Sequence, residues 1–338
     1  MSHQKPSPCI LRKLSLDDPR WADLSAPWPG AAGKVPILLD ALQSNPSFDM
    51  PRDSVWAELH DIIYHQYSCY ESTYATVPYL VELGLELPSD SSAELWISLG
   101  FIAGTYRVHG RPIPDDLALA FQTALKIAES RCLEVLLSEP WNCDESCYLA
   151  LAAVALSGHP IGYLIKTDLA LDDSVREATC PGCEAKFVFS LQDAGIATYS
   201  SDPPFADFPL EPDESQPRRV AALRCVGDEQ DSPWRRVAEQ LASAGAPDDD
   251  IPEEFFVEWR EELDAAARQC RLGLRGADDR CVACVVGGLL ALKGEPGRSS
   301  RFLRLAGRLR CPSCELDYDI VDAMDDLSAR VRARFSRP

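Results

Sequence analysis

The sequence predicts an all-α chain, a solenoid of antiparallel helix pairs that carries small β-hairpins. Three observations predict it. From Val55 to Val81, two apolar sets fall at helical spacing: Val55, Trp56, Leu59, Ile62 and Ile63, then Tyr70, Tyr74, Val77, Leu80 and Val81. Further stretches with the same period follow, separated by short stops such as Gly110 with Pro112 and Gly158-His159-Pro160. Two Cys-Pro-x-Cys-Glu turns, beginning at Cys180 and Cys311, each lead into a short alternating segment. A helix pair of this kind cannot bury both apolar faces alone, so it needs similar pairs stacked against it.

Taken in order, residues 1–29 place Trp21 and Trp28 in a Pro-rich, loop-like cover. Val35 to Leu42 reads as a short amphipathic helix. Ser68 followed by Glu71 has capping-box spacing and marks the start of the second helix of the opening pair. Pro78 lies inside that helix and predicts a kink, because it removes a backbone donor and crowds the preceding turn. Ser91 with Glu94 predicts another capped start, for a helix burying Leu95, Trp96, Leu99, Ile102 and Tyr106. Pro114 and Asp115 open a helix with Leu117, Phe121, Leu125, Ala128 and Cys132 on one face, and another runs from about Glu145 to Leu156.

From Val175 the period changes. Residues 175–190 read as a β-hairpin turning at Cys180-Pro-Gly-Cys183. Residues 191–217 are rich in Pro, Asp, Glu and Ser and read as a linker or loop. Helices resume with Ser232 as cap and Pro233 at the first helical position, stopping at Gly245. Pro252 to Leu272 carries an apolar stripe of Phe255, Phe256, Trp259, Leu263 and Ala267, and Cys281 to Leu292 is apolar enough for an inner helix. After Cys311-Pro-Ser-Cys314 comes a strand-like ELDYDIV. A last helix follows with Met324, Leu327, Val331 and Phe335 on one face and four arginines, Arg330 to Arg337, near its C-terminal end. The organisation is thus a helical half over 1–190, an acidic Pro-rich linker over 191–230 and a second helical half over 231–338. LAAVALSGHP before CPGCEAKFVF echoes VGGLLALKGEP before CPSCELDYDI, as a divergent duplication would.

The net charge of −20 bears on function. Such a surface repels phosphate backbones and anionic membranes, which excludes nucleic acid and lipid as expected partners. It favours solubility and a basic protein partner. No apolar run reaches membrane-spanning length and the N-terminus lacks a signal-like core, so a cytoplasmic protein is expected. Thirteen cysteines in a reducing compartment then point to buried thiols or metal ligands rather than disulfides.

A Cys-x-x-Cys turn supplies half of a tetrahedral zinc site. The echo predicts that Cys180, Cys183, Cys311 and Cys314 share one structural zinc, closing the two halves onto each other. Alternatives stand beside it. Cys281 and Cys284 could join Cys311 and Cys314, leaving Cys143, Cys147, Cys180 and Cys183 as a second set, although cysteines at the start of an apolar helix are usually small core residues. A redox CPGC needs a βαβ context the sequence lacks, and a last alternative is that both pairs are relics that bind nothing. His65 and Gln66, like His109 and His159, sit at helix ends and read as partners for free carbonyls. No Ser-His-Asp order, phosphate-binding glycine loop or HExxH helix is present, so no catalytic residues are assigned.

Val35, Pro36, Leu38 and Leu39, then His65, Gln66, Tyr70, Pro78 and Leu80, resemble the pattern of a group of bacterial HEAT-repeat-like proteins with later CPxC turns. Tyr67 stands where that pattern has Gly, and Ser72 where it has Ala. The resemblance covers about residues 20–85. It implies a HEAT-like α-solenoid that binds protein without catalysis, and some relatives look like immunity proteins of toxin systems. An immunity or inhibitor protein neutralising a basic partner is therefore the expectation. The alternative is an enzyme or nucleic-acid-associated protein using a HEAT-like cradle.

Overall fold

The computed structural model describes residues 13–48, 51, 53–109, 111–159, 176–192, 195–200, 233–243, 253–274, 277–305, 307–311 and 313–319. Among these residues the fold is mostly helical, with few strands. Two 3₁₀ turns, Pro19–Ala22 and Ala31–Lys34, lead into helix α1, Val35–Ser44. Trp21 is buried and donates its indole N–H to the Ser15 carbonyl at 2.8 Å, pinning the N-terminal cover. Trp28 remains 44% exposed, so the cover is only half closed.

Helix α2, Val55–Ile63, and helix α3, Glu71–Glu86, are the predicted pair. A two-stranded hairpin, β1 Tyr64–His65 and β2 Ser68–Cys69, joins them where a plain turn was expected. Ser68 is a strand residue. The cap of α3 is Tyr70, whose backbone N–H donates to the Thr73 hydroxyl at 2.7 Å. α3 runs through Pro78 as one helix, buried along most of its length. Its buried hydroxyls are satisfied: that of Thr76 donates to the Ser72 carbonyl at 2.6 Å within the helix, and that of Thr73 donates to the Ile63 carbonyl at the end of α2.

Helix α4, Ser89–His109, starts two residues before Ser91, so the expected Ser91–Glu94 box lies inside it. Leu95, Trp96, Leu99 and Ile102 are buried as the spacing predicts. Helix α5 is Asp115–Ser138 and helix α6 is Cys143–Leu156. α6 is capped by a reciprocal Asn142–Glu145 pair at 2.9 and 3.2 Å, which makes Glu145 part of the cap rather than the first residue. α3 packs on α5 and α4 on α6, with α5 also against α6. A Cβ at Gly100 would lie 2.4 Å from that of Ala152, so α4 and α6 approach closely enough to need glycine there.

Helix α7, Trp234–Ser243, packs on helix α8, Glu253–Leu272, which packs on helix α9, Asp279–Leu292. α9 is buried throughout its central ten residues, 281–290. Helix α10, Pro296–Leu305, lies against it, in a stretch to which the sequence pattern assigns no element. Ser232, Gly245 and the expected C-terminal helix from Met324 to Phe335 lie outside the described residues.

The two helical groups join directly. α6 packs on α9. The His159 imidazole, just past α6, meets the Ala277 carbonyl at 3.0 Å. Arg298 donates to the Cys143 carbonyl at 3.1 Å and pairs with Asp144, and Lys293 donates to the Glu139 carbonyl. The Trp234 indole donates to Glu129 at 2.7 Å. The two halves thus also meet through direct contacts, beside the shared zinc that the sequence predicts would close them.

The remaining strands form two small antiparallel sheets. β3 Arg176–Thr179, β4 Lys186–Gln192 and β5 Gly195–Ser200 make one, and β6 Arg308–Arg310 with β7 Asp317–Asp319 makes the other. β5 lies within the stretch read as linker. It pairs with β4 from Phe187↔Ser200 to Gln192↔Gly195, so backbone pairing imposes the regularity its composition lacks.

A candidate metal centre of four cysteines

Each small sheet turns at a Cys-Pro-x-Cys, and the two turns are built alike. In the first, the Cys180 N–H donates to the Ala185 carbonyl and the Glu184 N–H to the Cys180 carbonyl, both at 2.9 Å. In the second, the Cys311 N–H donates to Leu316 at 2.9 Å and the Glu315 N–H to Cys311 at 3.0 Å. Glu184 and Glu315 both stand at φ +59°, a left-handed conformation that reverses the chain after the second cysteine. The Glu that closes both CPxCE motifs is thus the residue that makes the bend.

This geometry aims backbone donors at the sulfurs. The Gly182 N–H points to Cys180 Sγ at 3.3 Å, and the Ser313 N–H to Cys311 Sγ at 3.4 Å. The turns face each other across 134 residues, with Cys180 Sγ 3.6 Å from Cys314 Sγ and Cys183 Sγ 3.7 Å from Cys311 Sγ. All four sulfurs lie within 4.8 Å of one another, and they are the group among the described residues that could hold a metal ion. Cys180 and Cys311 are buried, whereas Cys183 and Cys314 are exposed. A Cβ at Gly182 would come 2.7 Å from Leu316 Cδ2, so the leucine of one turn covers the glycine of the other.

The sulfurs do not ionise independently. Burial opposes the thiolate of Cys311, but the N–H groups of Cys314 and Ser313 and the thiols of Cys180 and Cys183 outweigh it and bring Cys311 down to about 7. At Cys314 the Leu316 N–H favours the thiolate, yet the neighbouring sulfurs prevail and hold it up at about 12. One negative charge forms readily and the next is resisted because it would sit beside the first. A divalent cation among them removes that conflict. Tyr318 is buried, and desolvation together with the four cysteines keeps its hydroxyl neutral.

The four predicted ligands are brought together. The rival sets are not: Cys281 and Cys284 are fully buried in α9 and Cys147 in α6, with Cys143 partly exposed at the start of α6. Burial pushes the Cys147 thiol up to about 12 and that of Cys143 to about 11. His65 faces Asp61 at 2.7 Å and rests on Trp28, one side chain away from the carbonyl role expected of it. Sequence reasoning missed Tyr318 and the Leu316–Gly182 contact. A signal for the first existed, since Phe187 and Tyr318 stand at the same offset from Cys180 and Cys311.

Comparison with protein-family models, with curated proteins and with solved structures returns no match.

Proposed function

We propose that the chain is a non-catalytic binding protein, a HEAT-like α-solenoid stiffened by a structural zinc and acting on a basic protein partner in the manner of an immunity or inhibitor protein. The observation that carries the zinc reading is the four-sulfur cluster. Zn–S bonds of about 2.3 Å give a tetrahedron with edges of about 3.8 Å, which the cross-turn separations of 3.6 and 3.7 Å match. Cys180, Cys183, Cys311 and Cys314 would hold the ion, and four thiolates leave no position for water, so its role is structural. The backbone donors at Gly182 and Ser313 offset the negative charge that four thiolates leave on the site.

The stacking of α3 on α5 and of α4 on α6 supports the solenoid, because each helix meets the helix two places on. The net charge of −20 supports a cationic partner. Co-purification of the full chain with the products of neighbouring genes tests the reading. A stoichiometric basic protein that dissociates as salt is raised supports it. Recovery of no such partner, or of one insensitive to salt, overturns it. Elemental analysis of protein purified without chelators should give about one zinc per chain, lost in the Cys180→Ser, Cys311→Ser double variant.

A further inference from the structure

We propose that the four-sulfur cluster is also a site of thiol oxidation, at which a hydroperoxide replaces the metal with two cross-turn disulfides, Cys180–Cys314 and Cys183–Cys311. The metal-bound starting state rests on the zinc reading above; the pairing of sulfurs rests on the geometry alone. Each cross-turn pair combines one exposed sulfur with one buried sulfur. Cys314 is exposed and stands 3.6 Å from buried Cys180, and Cys183 is exposed and stands 3.7 Å from buried Cys311. The arrangement places a sulfur that an oxidant reaches beside one that traps the product.

Selectivity follows from exposure. Among the described cysteines, Cys183 and Cys314 are the exposed ones. Cys69, Cys132, Cys147, Cys270, Cys281 and Cys284 are buried, and Cys143 is intermediate. Reactivity tracks thiolate character and access, so a peroxide meets the cluster first. The exposed sulfur, which coordination to the metal would hold as a thiolate, attacks the peroxide oxygen, the O–O bond breaks, and the leaving oxygen departs as water or alcohol after taking a proton. The resulting sulfenic acid is attacked by the buried thiolate, the S–S bond forms, and the sulfenic oxygen leaves as water. Each disulfide consumes one hydroperoxide and two protons, and two electrons pass from sulfur to oxygen. The metal is released because its ligands are spent.

Cross-turn closure is favoured over closure within each Cys-x-x-Cys. The bend inside each turn is held by the bonds from Cys180 to Ala185 and Glu184 to Cys180, and by their counterparts from Cys311 and Glu315. A disulfide within one turn would act on those bonds, whereas the cross-turn pairs leave them untouched. A cross-turn disulfide brings two intact turns together by roughly 1.6 Å. The metal crosslink is thereby exchanged for a covalent one joining the same hairpins.

The experiment titrates metal-loaded full-length protein with hydrogen peroxide in the presence of a chromogenic zinc indicator, then maps disulfides by mass spectrometry after digestion without reductant. The expected result is one zinc released for two peroxides consumed, with peptides joined 180 to 314 and 183 to 311. Linkages 180 to 183 and 311 to 314, sulfinic acids at Cys183 and Cys314, or no reaction would overturn the proposal. The two readings fail separately. Cross-turn disulfides in protein that carries no zinc keep the pairing and remove the metal, whereas zinc release with within-turn linkages keeps the metal and removes the pairing.

Discussion

At the scale of single residues, the hairpin between α2 and α3 shows sequence and backbone in conflict. Gln66 and Tyr67 stand at φ +46° and +56°, the left-handed pair that a two-residue hairpin turn demands and that Asn-Gly satisfies best. Tyr67 stands where the HEAT-like pattern carries Gly, and its conformation is one in which glycine is at ease. The Gln66→Asn, Tyr67→Gly double variant should raise stability by about 1 kcal/mol, since a non-glycine residue in this region costs on the order of 1–3 kcal/mol and the added chain entropy of Gly returns part of that. Urea unfolding would show it as a higher midpoint at unchanged slope; a lower midpoint would mean that Tyr67 makes contacts worth more than the strain. His159 gives a pH-dependent counterpart. It is buried, and desolvation lowers its pKa below the ordinary 6.5 despite the bond to Ala277. The folded chain therefore keeps the imidazole neutral while the unfolded chain takes up a proton. Its contribution is complete above pH 6.5 and is lost as pH falls below that value toward the folded pKa. Melting temperatures measured from pH 7.5 down to 5 should fall less for His159→Gln than for the unsubstituted chain.

At the scale of elements, the close approach of helices and the four-sulfur cluster make separate predictions. α4 and α6 touch at Gly100, where an added Cβ would overlap both the Cα and Cβ of Ala152. Gly100→Ala should destabilise by roughly 2–3 kcal/mol, the cost of forcing two packed helices apart, and the loss should appear in thermal unfolding monitored by circular dichroism. The β-hairpins depend on something else. Among their described side chains the buried ones are Cys180, Cys311 and Tyr318, so the ligands themselves form much of the interior. Stripping the metal with chelator under reducing conditions should abolish hydrogen-exchange protection in β3, β4, β6 and β7 while leaving α5 and α6 protected. The helical groups keep their own links through α6 on α9, Arg298 to Asp144 and His159 to Ala277. Uniform loss of protection across the chain would show instead that the ion supports the whole fold.

At the scale of the whole molecule, much of the architecture was legible because it rests on local periodicity. Spacing selects most of the buried faces of α2, α4 and α5, although Val55 is exposed and Tyr106 only half-buried, and no helix of the described residues is long and apolar enough to cross a membrane. What escaped was determined from outside the segment. β5 carries Ile196, Thr198 and Tyr199 but is too short to stand out from the Pro- and Asp-rich stretch around it, and β4 offers it an edge. α10 is polar, and it is helical where Leu303 and the Ser299 carbonyl close over Gly287 of α9. Helix starts were misplaced where a Ser-x-x-Glu spacing occurred beside stronger signals, at Ser68 and again at Ser91.

The sequence by itself determined the mostly helical chain, the two CPxCE turns and the four cysteines as a candidate set, because these follow from period, turn chemistry and ligand type. Only the tertiary structure decided that the turns meet, with sulfurs 3.6 and 3.7 Å apart, and that the helical groups also touch each other directly. The physical reason is distance along the chain. A contact spanning more than a hundred residues leaves no local pattern, and its geometry is fixed by the packing of everything between.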